Sequence, residues 1–488
     1  MNNSEQKQTM EVAKHDEGTD LENSQEDYFG TKAGTTPTES HDQKTHHKAE
    51  LEERNSNIDG TAPAQSSPLS SSKGRRCNLK RVCCGIGIFL FLVIIGVIVW
   101  FRVAFRGFFK PRCARPKREI DNMKNLGSCI DEIADMYDMV GLSVAISTDE
   151  GLQWNHNYGY ANLDDKVQVT GDTPFLLSSV SKTFIATAIM QQVEASVLDL
   201  DEDINTYLKS FQIENPKVDG ENVITLRHLS THTSGLIDND NVYDASYAPG
   251  DPLEDLSSFL KEYFVPDGKY YSASKNFRNC KSGDCSYDYS NIAASLAALV
   301  VEDSAGMPYH QYVEENILKP LGMSQSHFYF DNYTDPSVVA MPYEEDGEEY
   351  GYYGYPTYPD GRLLSSSNDM ARYMTAFMVS NEDLMDFQTR DEMLSPQSIN
   401  QKIGLAERLF YGKEIDQEIF WTYVGDTAHG HDGGDFGSFT LMYFEPIHKV
   451  GITVLTNHAK INAAIALMQI VKQVTSQSER VRNLLDQN

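Results

Sequence analysis

The sequence predicts an α+β domain, an antiparallel sheet covered by helices, preceded by a disordered tail and one transmembrane helix. Three observations lead to this prediction. Charge is unevenly distributed along the 488 residues, one run of twenty residues is apolar and uncharged, and both ends of the C-terminal region alternate between helical and strand periodicity. No repeat or linker-like stretch divides residues 119–488, so we expect one compact unit there.

The formal net charge of −30 combines three regions of different character. Residues 1–72 carry −8, residues 73–118 carry +12, and residues 119–488 carry −34. Because a strongly acidic domain repels other polyanions, no nucleic acid partner is expected.

The N-terminal tail, residues 1–72, is rich in polar side chains and shows no apolar periodicity. Such a segment buries too little apolar surface to offset the entropy of ordering, so we predict disorder. A solvated leader is the favoured interpretation, and a regulatory tail with phosphorylation sites is the alternative. The tail does not resemble a mitochondrial transit peptide, since those are Arg-rich and poor in acids.

The run VCCGIGIFLFLVIIGVIVWF at 82–101 has the length of a helix that crosses about 30 Å of hydrocarbon. A hydrophilic leader precedes it and Arg102 and Arg106 follow, so we interpret it as an uncleaved signal-anchor in the lipid bilayer. A basic juxtamembrane segment, 73–81, and a basic linker, 102–118, flank it. Because positive charge lies on both sides, the positive-inside rule does not decide the orientation.

Cysteines and one sequon give a weak indication of orientation. The cysteines near the membrane boundary are of the kind that carries palmitate: Cys77, Cys83, Cys84 and Cys113. Cys280 and Cys285 could close a small disulfide loop in NCKSGDC, and Asn332 begins a glycosylation sequon. Both features also arise by chance. The sequon and the Cys280/Cys285 pair favour a type II protein with a cytoplasmic tail and an extracellular or lumenal C-terminal domain. A mitochondrial membrane is the alternative.

The two ends of the large domain show complementary patterns. Apolar residues recur at helical spacing from Arg118 to Met139, and GLSVAIST follows as a short strand. Near the C-terminus, SFTLMYFEPIHKVGITVLTNH predicts two strands around Pro446, and INAAIALMQIVKQV predicts a helix. We therefore expect the two ends to build one antiparallel sheet covered by terminal helices.

Several signatures of hydrolases, metalloproteases and nucleotide-binding proteins are absent: GxSxG, HExxH, a Walker A loop and CxxC. The acidic runs at 199–203 and 238–241 lack the glycine that an EF-hand needs at its sixth position. His228 and His232 are four residues apart without a convincing third ligand, so a structural role is favoured over a metal site. Neither a metal nor an organic cofactor is predicted.

The segment FLLSSVSKTFIATAIMQQVE at 175–194 predicts a helix after its first serines and contains the sequence SVSK. Residues three apart on a helix are neighbours, so the Ser179 hydroxyl and the Lys182 amine can meet. Burial would disfavour the ammonium form and leave neutral amine that accepts the serine proton. An SxxK pair alone also occurs by chance on exposed helices.

Three further motifs follow in order: ITLRHLSTHTSGL at 224–236, YSN at 289–291 ahead of an apolar helix, and HDGG at 431–434 at a Gly-rich strand entrance. Together with SVSK, this ordered set resembles the serine β-lactamase and penicillin-binding-protein family. The resemblance is strongest to its β-lactamase-related branch, which includes class C enzymes, bacterial esterases and D-peptidases, and animal β-lactamase-like proteins.

The resemblance implies an antiparallel sheet flanked by helices beside a helical lobe, with the active site between them. It implies Ser179 as the acyl-accepting nucleophile, and Lys182 and Tyr289 as the groups that transfer protons. The backbone amides of Ser179 and Gly434 would form the oxyanion hole. The residues implied for substrate binding or oxyanion stabilisation are Asn291, His431, Gly433 and Gly434.

The third motif departs from that of many penicillin-recognising members, which carry Lys-Thr-Gly where this chain has HDG at 431–433. A neutral His does not form the ion pair that this Lys forms with a substrate carboxylate. The expected substrate is therefore a small-molecule ester or peptide, and β-lactamase activity is not expected.

Other functions stay open from the sequence alone. A catalytically silent binding or scaffold module is the main alternative, and adhesion or receptor activity has only the anchor to support it. The Tyr-rich stretch 346–361 is interpreted as a surface insertion packed on itself, with contact to peptides, lipids or sugars as the alternative. The oligomeric state is not determined.

Overall fold

The computed structural model describes most of the domain predicted for 119–488 and a few residues ahead of it. The described residues are 111–487, apart from 112, 116–117, 221, 253, 380–383, 402–414 and 425–427. The predicted tail 1–72, the basic segment 73–81 and the transmembrane helix 82–101 lie outside them. Within the described ranges, no helix combines the length and the apolar character needed to span a membrane.

In the described part of the chain, nine of the thirteen strands form one large sheet. The strands found there, in chain order, are β1 (Gly141–Thr148), β2 (Gly151–Asn162), β3 (Val167–Gln168), β4 (Phe175–Leu176), β5 (Ala248–Pro249), β6 (Tyr353–Gly354), β7 (Leu364–Ser365), β8 (Ser398–Gln401), β9 (Ile415–Gln417), β10 (Thr422–Val424), β11 (Ala428–Asp435), β12 (Ser438–Glu445) and β13 (Val450–Thr456). The order across the sheet is β3-β2-β1-β13-β12-β11-β10-β9-β8, and neighbours are antiparallel. The predicted pairing of the two ends is confirmed, because Val144 of β1 lies opposite Val454 of β13.

Helices cover both faces of this sheet. Those in the described ranges are α1 (Met123–Met136), α2 (Lys182–Glu194), α3 (Leu226–Ser230), α4 (Asp240–Tyr243), α5 (Leu256–Phe264), α6 (Asn291–Ala305), α7 (Tyr309–Val313), α8 (Ser367–Met378), α9 (Phe387–Met393), α10 (Ile461–Ser476) and α11 (Ser478–Leu485). α1 and α10 bury Ile130 and Leu467 against Leu142 and Ile452 of the sheet, where each large apolar side chain contributes about 1.5–3 kcal/mol. The predicted terminal helices are thus confirmed.

A second core joins the other face of the sheet to a helical lobe. α2 and α6 run through this core and are apolar on nearly every side, as buried helices are. Phe184 of α2 stacks on Tyr373 of α8 with ring centroids 4.1 Å apart, which ties the lobe to the helix beside the sheet. The N-terminal ends of α2 and α6 carry the SVSK and YSN motifs.

Two disulfides lie in the described residues. Cys113 is bonded to Cys129 of α1, so the interpretation of Cys113 as a palmitoylation site is wrong. The two Cα atoms are 5.8 Å apart and Ala114 is buried, which shows that the end of the predicted linker packs on the domain. Cys280 is bonded to Cys285, the pair that their spacing indicated. Asn332 is exposed in a short helical turn.

Candidate active site

The predicted nucleophile lies in a 3₁₀ turn, Ser178–Ser181, that leads directly into α2. Ser179 is half-buried, whereas Lys182 is fully buried at the first position of the helix. The Lys182 Nζ atom lies 3.2 Å from Ser179 Oγ. The expected contact between residues i and i+3 therefore exists, although the turn is 3₁₀ and the α-helix begins only at the lysine.

Two further oxygens contact the Lys182 amine. Nζ donates to Asn291 Oδ1 at 2.8 Å and to the backbone carbonyl of Asp360 at 2.7 Å. A neutral amine has two N–H bonds and one lone pair, so these two acceptors leave the lone pair for the Ser179 hydroxyl. Burial lowers the pKa of Lys182 below its ordinary value of 10.5, and nearby carboxylates act in the opposite direction.

Tyr289 lies against the same amine. Its hydroxyl is buried without a well-formed hydrogen bond to any described residue, although Ser179 is near enough to act in the direction that lowers the pKa of the phenol. Burial is the larger effect and raises that pKa well above 10.0, so the phenol keeps its proton at neutral pH. Lys182 Nζ is 5.0 Å from the centroid of the Tyr289 ring. The phenol thus lies next to the lysine of the SVSK pair and carries a proton, which are two conditions of its predicted role in proton transfer.

We expect Tyr289→Phe to lower the acylation rate about 10²-fold while leaving the fold intact. The hydroxyl forms no well-formed hydrogen bond with described residues, so its removal costs little stability but takes away the predicted proton relay. The measurement compares single-turnover acylation by an activated ester with the thermal midpoint of the same sample. An unchanged acylation rate would show that the phenol does not take part.

Asp238 fixes the start of α6 and hence the YSN motif. Its carboxylate accepts hydrogen bonds from Ser290 Oγ at 2.8 Å, from the Asn291 amide at 2.9 Å and from the Ile292 amide at 3.0 Å. The sequence showed Asp238 only as part of an acidic run, so this capping role was missed. The carboxylate holds Asn291 where it accepts from Lys182.

His232 supports the same segment from the turn after α3. Its Nδ1 accepts the Ser290 amide hydrogen at 3.2 Å, and its ring lies 4.4 Å from the Tyr289 ring. Burial lowers its pKa well below 6.5, so the imidazole is neutral. These contacts agree with the structural role favoured from the sequence. Among the described residues, no group of His, Cys, Asp or Glu side chains is arranged to hold a metal ion.

The HDGG motif lies at the end of β11, within the strand instead of at its entrance. A Cβ atom on Gly433 would lie 2.9 Å from the Ser179 amide nitrogen and 2.6 Å from the Leu177 carbonyl oxygen. Only glycine therefore lets β11 lie this close to the nucleophile. His431 is buried and its Nδ1–H donates to the Asp432 carbonyl; burial lowers its pKa to about 4, so it is neutral at pH 7.

The Tyr-rich stretch 346–361 differs from its prediction as a surface insertion. Tyr353 and Tyr355 are buried, and Tyr355 stacks on Tyr247 from a different segment with centroids 4.5 Å apart. The stretch ends in the 3₁₀ turn Tyr358–Asp360, which brings Asp360 to Lys182. No local pattern marks Asp360, because its contacts depend on residues far away in the chain.

The residues that contain this site, 126–472, match the model of the Beta-lactamase family. The chain belongs to the Beta-lactamase family. Among proteins similar to it, penicillin-binding protein 4* of Bacillus subtilis is 23% identical over 360 residues, 68% of this chain and 71% of that protein. Beta-lactamase-like protein 2 of Dictyostelium discoideum is 28% identical over 261 residues. That match covers 50% of this chain and 44% of the relative, so the chain spans less than half of its length.

Several solved structures share the fold of this chain. The octameric penicillin-binding protein homologue from Pyrococcus abyssi has a TM-score of 0.59 at 22% identity, covering 74% of this chain and 78% of that one. A class C beta-lactamase has a TM-score of 0.56 at 20% identity, covering 73% and 99%. The predicted family and its α+β fold are therefore confirmed. Family membership indicates serine-hydrolase chemistry through an acyl-enzyme.

Proposed function

We propose that the protein is a membrane-anchored serine hydrolase that cleaves an ester or peptide bond through an acyl-enzyme on Ser179. The observation that supports this most strongly is the buried Lys182 amine. Asn291 Oδ1 and the Asp360 carbonyl take its two N–H bonds, and Ser179 Oγ lies 3.2 Å from it. This is the arrangement that a neutral lysine needs to act as a base.

In the proposed reaction, Ser179 Oγ attacks the substrate carbonyl carbon as its proton moves to Lys182. The backbone amides of Ser179 and Gly434 stabilise the negative charge on the carbonyl oxygen. The tetrahedral intermediate collapses when the leaving group takes a proton through Tyr289, and the acyl group stays on Ser179. Water then attacks the acyl-enzyme, gives up its proton through the same groups and regenerates the serine.

The charges around the cleft favour substrates without a carboxylate. His431 is neutral where many penicillin-recognising relatives carry lysine, and Asp435 follows the HDGG motif directly. An anionic β-lactam would meet negative potential without a cation at this position. Esters and peptides that are neutral or cationic near the scissile bond are therefore the proposed substrates.

The hydrophobic run 82–101 is the proposed anchor, with the C-terminal domain outside the cytosol. Two disulfides, Cys113–Cys129 and Cys280–Cys285, support an oxidising compartment, and the exposed sequon at Asn332 is consistent with it. A mitochondrial membrane is the alternative location.

The test is intact-mass analysis of the full-length protein in detergent after exposure to a fluorophosphonate. We expect one adduct on the wild type and none on Ser179→Ala. Ser178→Ala is the matched control, because Ser178 Oγ is buried and donates to Ser438 Oγ at 3.1 Å instead of facing the lysine; it should still be labelled. A folded wild type that takes no adduct would support the silent binding module instead.

A further inference from the structure

Asp360 contacts the proposed base with its main chain and lies close to it with a buried carboxylate. Its carbonyl oxygen accepts from Lys182 Nζ at 2.7 Å. The residue is 1% exposed, and its carboxylate accepts from Tyr243 Oη at 2.9 Å and from Ser295 Oγ at 2.9 Å. These two hydroxyl groups come from α4 and α6, so two separate elements fix the carboxylate.

We propose that Asp360 is a positioning residue whose carbonyl aims the Lys182 amine at Ser179 and whose carboxylate sets the pH at which that amine becomes a base. Asp360 acts through Lys182 and does not itself touch the substrate. The inference rests on the proposed function, since it concerns the same serine and lysine.

The backbone carbonyl and the side-chain carboxylate of Asp360 act on Lys182 in different ways. The carbonyl takes one of the two N–H bonds of the neutral amine, and Asn291 takes the other, so the lone pair has one direction left. The carboxylate is buried beside an amine in a region of low dielectric, where a charge acts strongly on its neighbours. Two neutral hydroxyl donors compensate a buried negative charge only in part, so the carboxylate favours the charged form of Lys182.

Titratable groups from several surrounding elements face the pair formed by Lys182 and Asp360. They are His232 and Asp238 after α3, Tyr243 on α4, Tyr247 beyond it, Tyr289 ahead of α6, Tyr355 ahead of the Tyr358–Asp360 turn, and His431, Asp432 and Asp435 on β11. Burial keeps both histidines neutral and the tyrosines protonated. The charges that act on Lys182 are those of Asp360, Asp238 and Asp435, and Asp360 has the largest effect among them.

The direction of the effect follows from these opposing influences. Burial lowers the pKa of Lys182, and the negative charge of Asp360 raises it again. Burial likewise raises the pKa of Asp360 above 3.8, and the lysine charge lowers it. Neutral amine forms as the pH rises through the pKa of Lys182, so kcat/KM should rise over the same pH range. This rise is the acidic limb of the profile of kcat/KM against pH. Removal of the Asp360 charge should move that limb to lower pH.

The experiment measures kcat/KM for an activated ester against pH with the full-length wild type, Asp360→Asn and Asp435→Asn. Asparagine at 360 retains the backbone carbonyl and removes the charge, while its NH2 group replaces one of the two oxygens that accept from Tyr243 and Ser295. We expect its acidic limb to lie at least about one pH unit lower than that of the wild type, since an adjacent opposite charge shifts a pKa by about 1–3 units. Asp435→Asn is the matched control and should shift the limb less, because Asp435 has a smaller effect on Lys182 than Asp360.

A second variant tests the same inference if Asp360→Asn does not fold. Tyr243→Phe removes one donor from the carboxylate, which raises the pKa of Asp360 and weakens its charge near neutral pH, so a smaller shift in the same direction is expected. A lower rate with an unmoved limb in both folded variants would overturn the inference and leave Asp360 a purely structural residue. A wild type that neither turns over ester nor accepts fluorophosphonate would instead contradict the proposed function.

Discussion

Lys182→Arg should abolish ester turnover even though it keeps a positive charge beside Ser179. Arginine stays protonated at every accessible pH, so it cannot take the serine proton, whereas the buried lysine has a lowered pKa and a lone pair directed at Ser179 Oγ. We expect kcat/KM for an activated ester to fall by about 10³-fold or more. The assay should extend from pH 6 to pH 10, because turnover that recovers at high pH would indicate another base.

Lys182→Met is the partner of that variant. It removes both the base and the buried charge, so it tests whether loss of activity in the arginine protein comes from bulk. Both variants should be equally inactive if the neutral amine is the base. Activity within tenfold of the wild type in a folded arginine variant would mean that the lysine contributes only its charge.

Gly433→Ala should disrupt the contact between β11 and the nucleophile turn. The new Cβ atom would lie 2.5 Å from Thr440 Oγ1, 2.6 Å from the Leu177 carbonyl and 2.9 Å from the Ser179 amide. Two of these atoms are backbone, so the strand has to move away and the two proposed oxyanion donors separate. We expect kcat to fall about 10²- to 10³-fold, the usual cost of losing an oxyanion donor.

Gly322→Ala is the control for this substitution. Gly322 has a positive φ of 66° but nothing within 4 Å of the added Cβ, so its replacement strains the backbone without a clash. It should lower the free energy of unfolding by about 1–2 kcal/mol and leave kcat unchanged. If Gly433→Ala has an equally small effect on kcat, the close approach of β11 to Ser179 is not needed for the reaction.

The sheet and its terminal helices could be predicted because their patterns are local. α1 and β1 follow each other with a change of apolar period, and β12 and β13 flank a single turn at Pro446. The shared sheet of the two chain ends was also predictable, although from less local evidence. β1 pairs with β13 across more than 300 residues, and only the apolar faces of both indicate that they share a sheet.

The site was predictable where a motif holds its partners close together and not where the fold supplies them. Ser179 and Lys182 meet because they are three residues apart, whereas Asp360 reaches the same amine from 178 residues away. Cys113 was misassigned for a similar reason, since its partner Cys129 is visible only once α1 has formed. The Tyr-rich stretch looked like a surface insertion because its aromatic partner Tyr247 lies in a distant segment.

Rapid-quench trapping of the full-length protein during turnover of an activated ester, followed by peptide mapping, tests directly whether Ser179 carries the acyl group. We expect the acyl group to be bonded to the peptide containing Ser179, and the adduct to form and decay at rates consistent with kcat. Steady turnover without any covalent adduct, or an acyl group on another residue, would contradict an acyl-enzyme on Ser179.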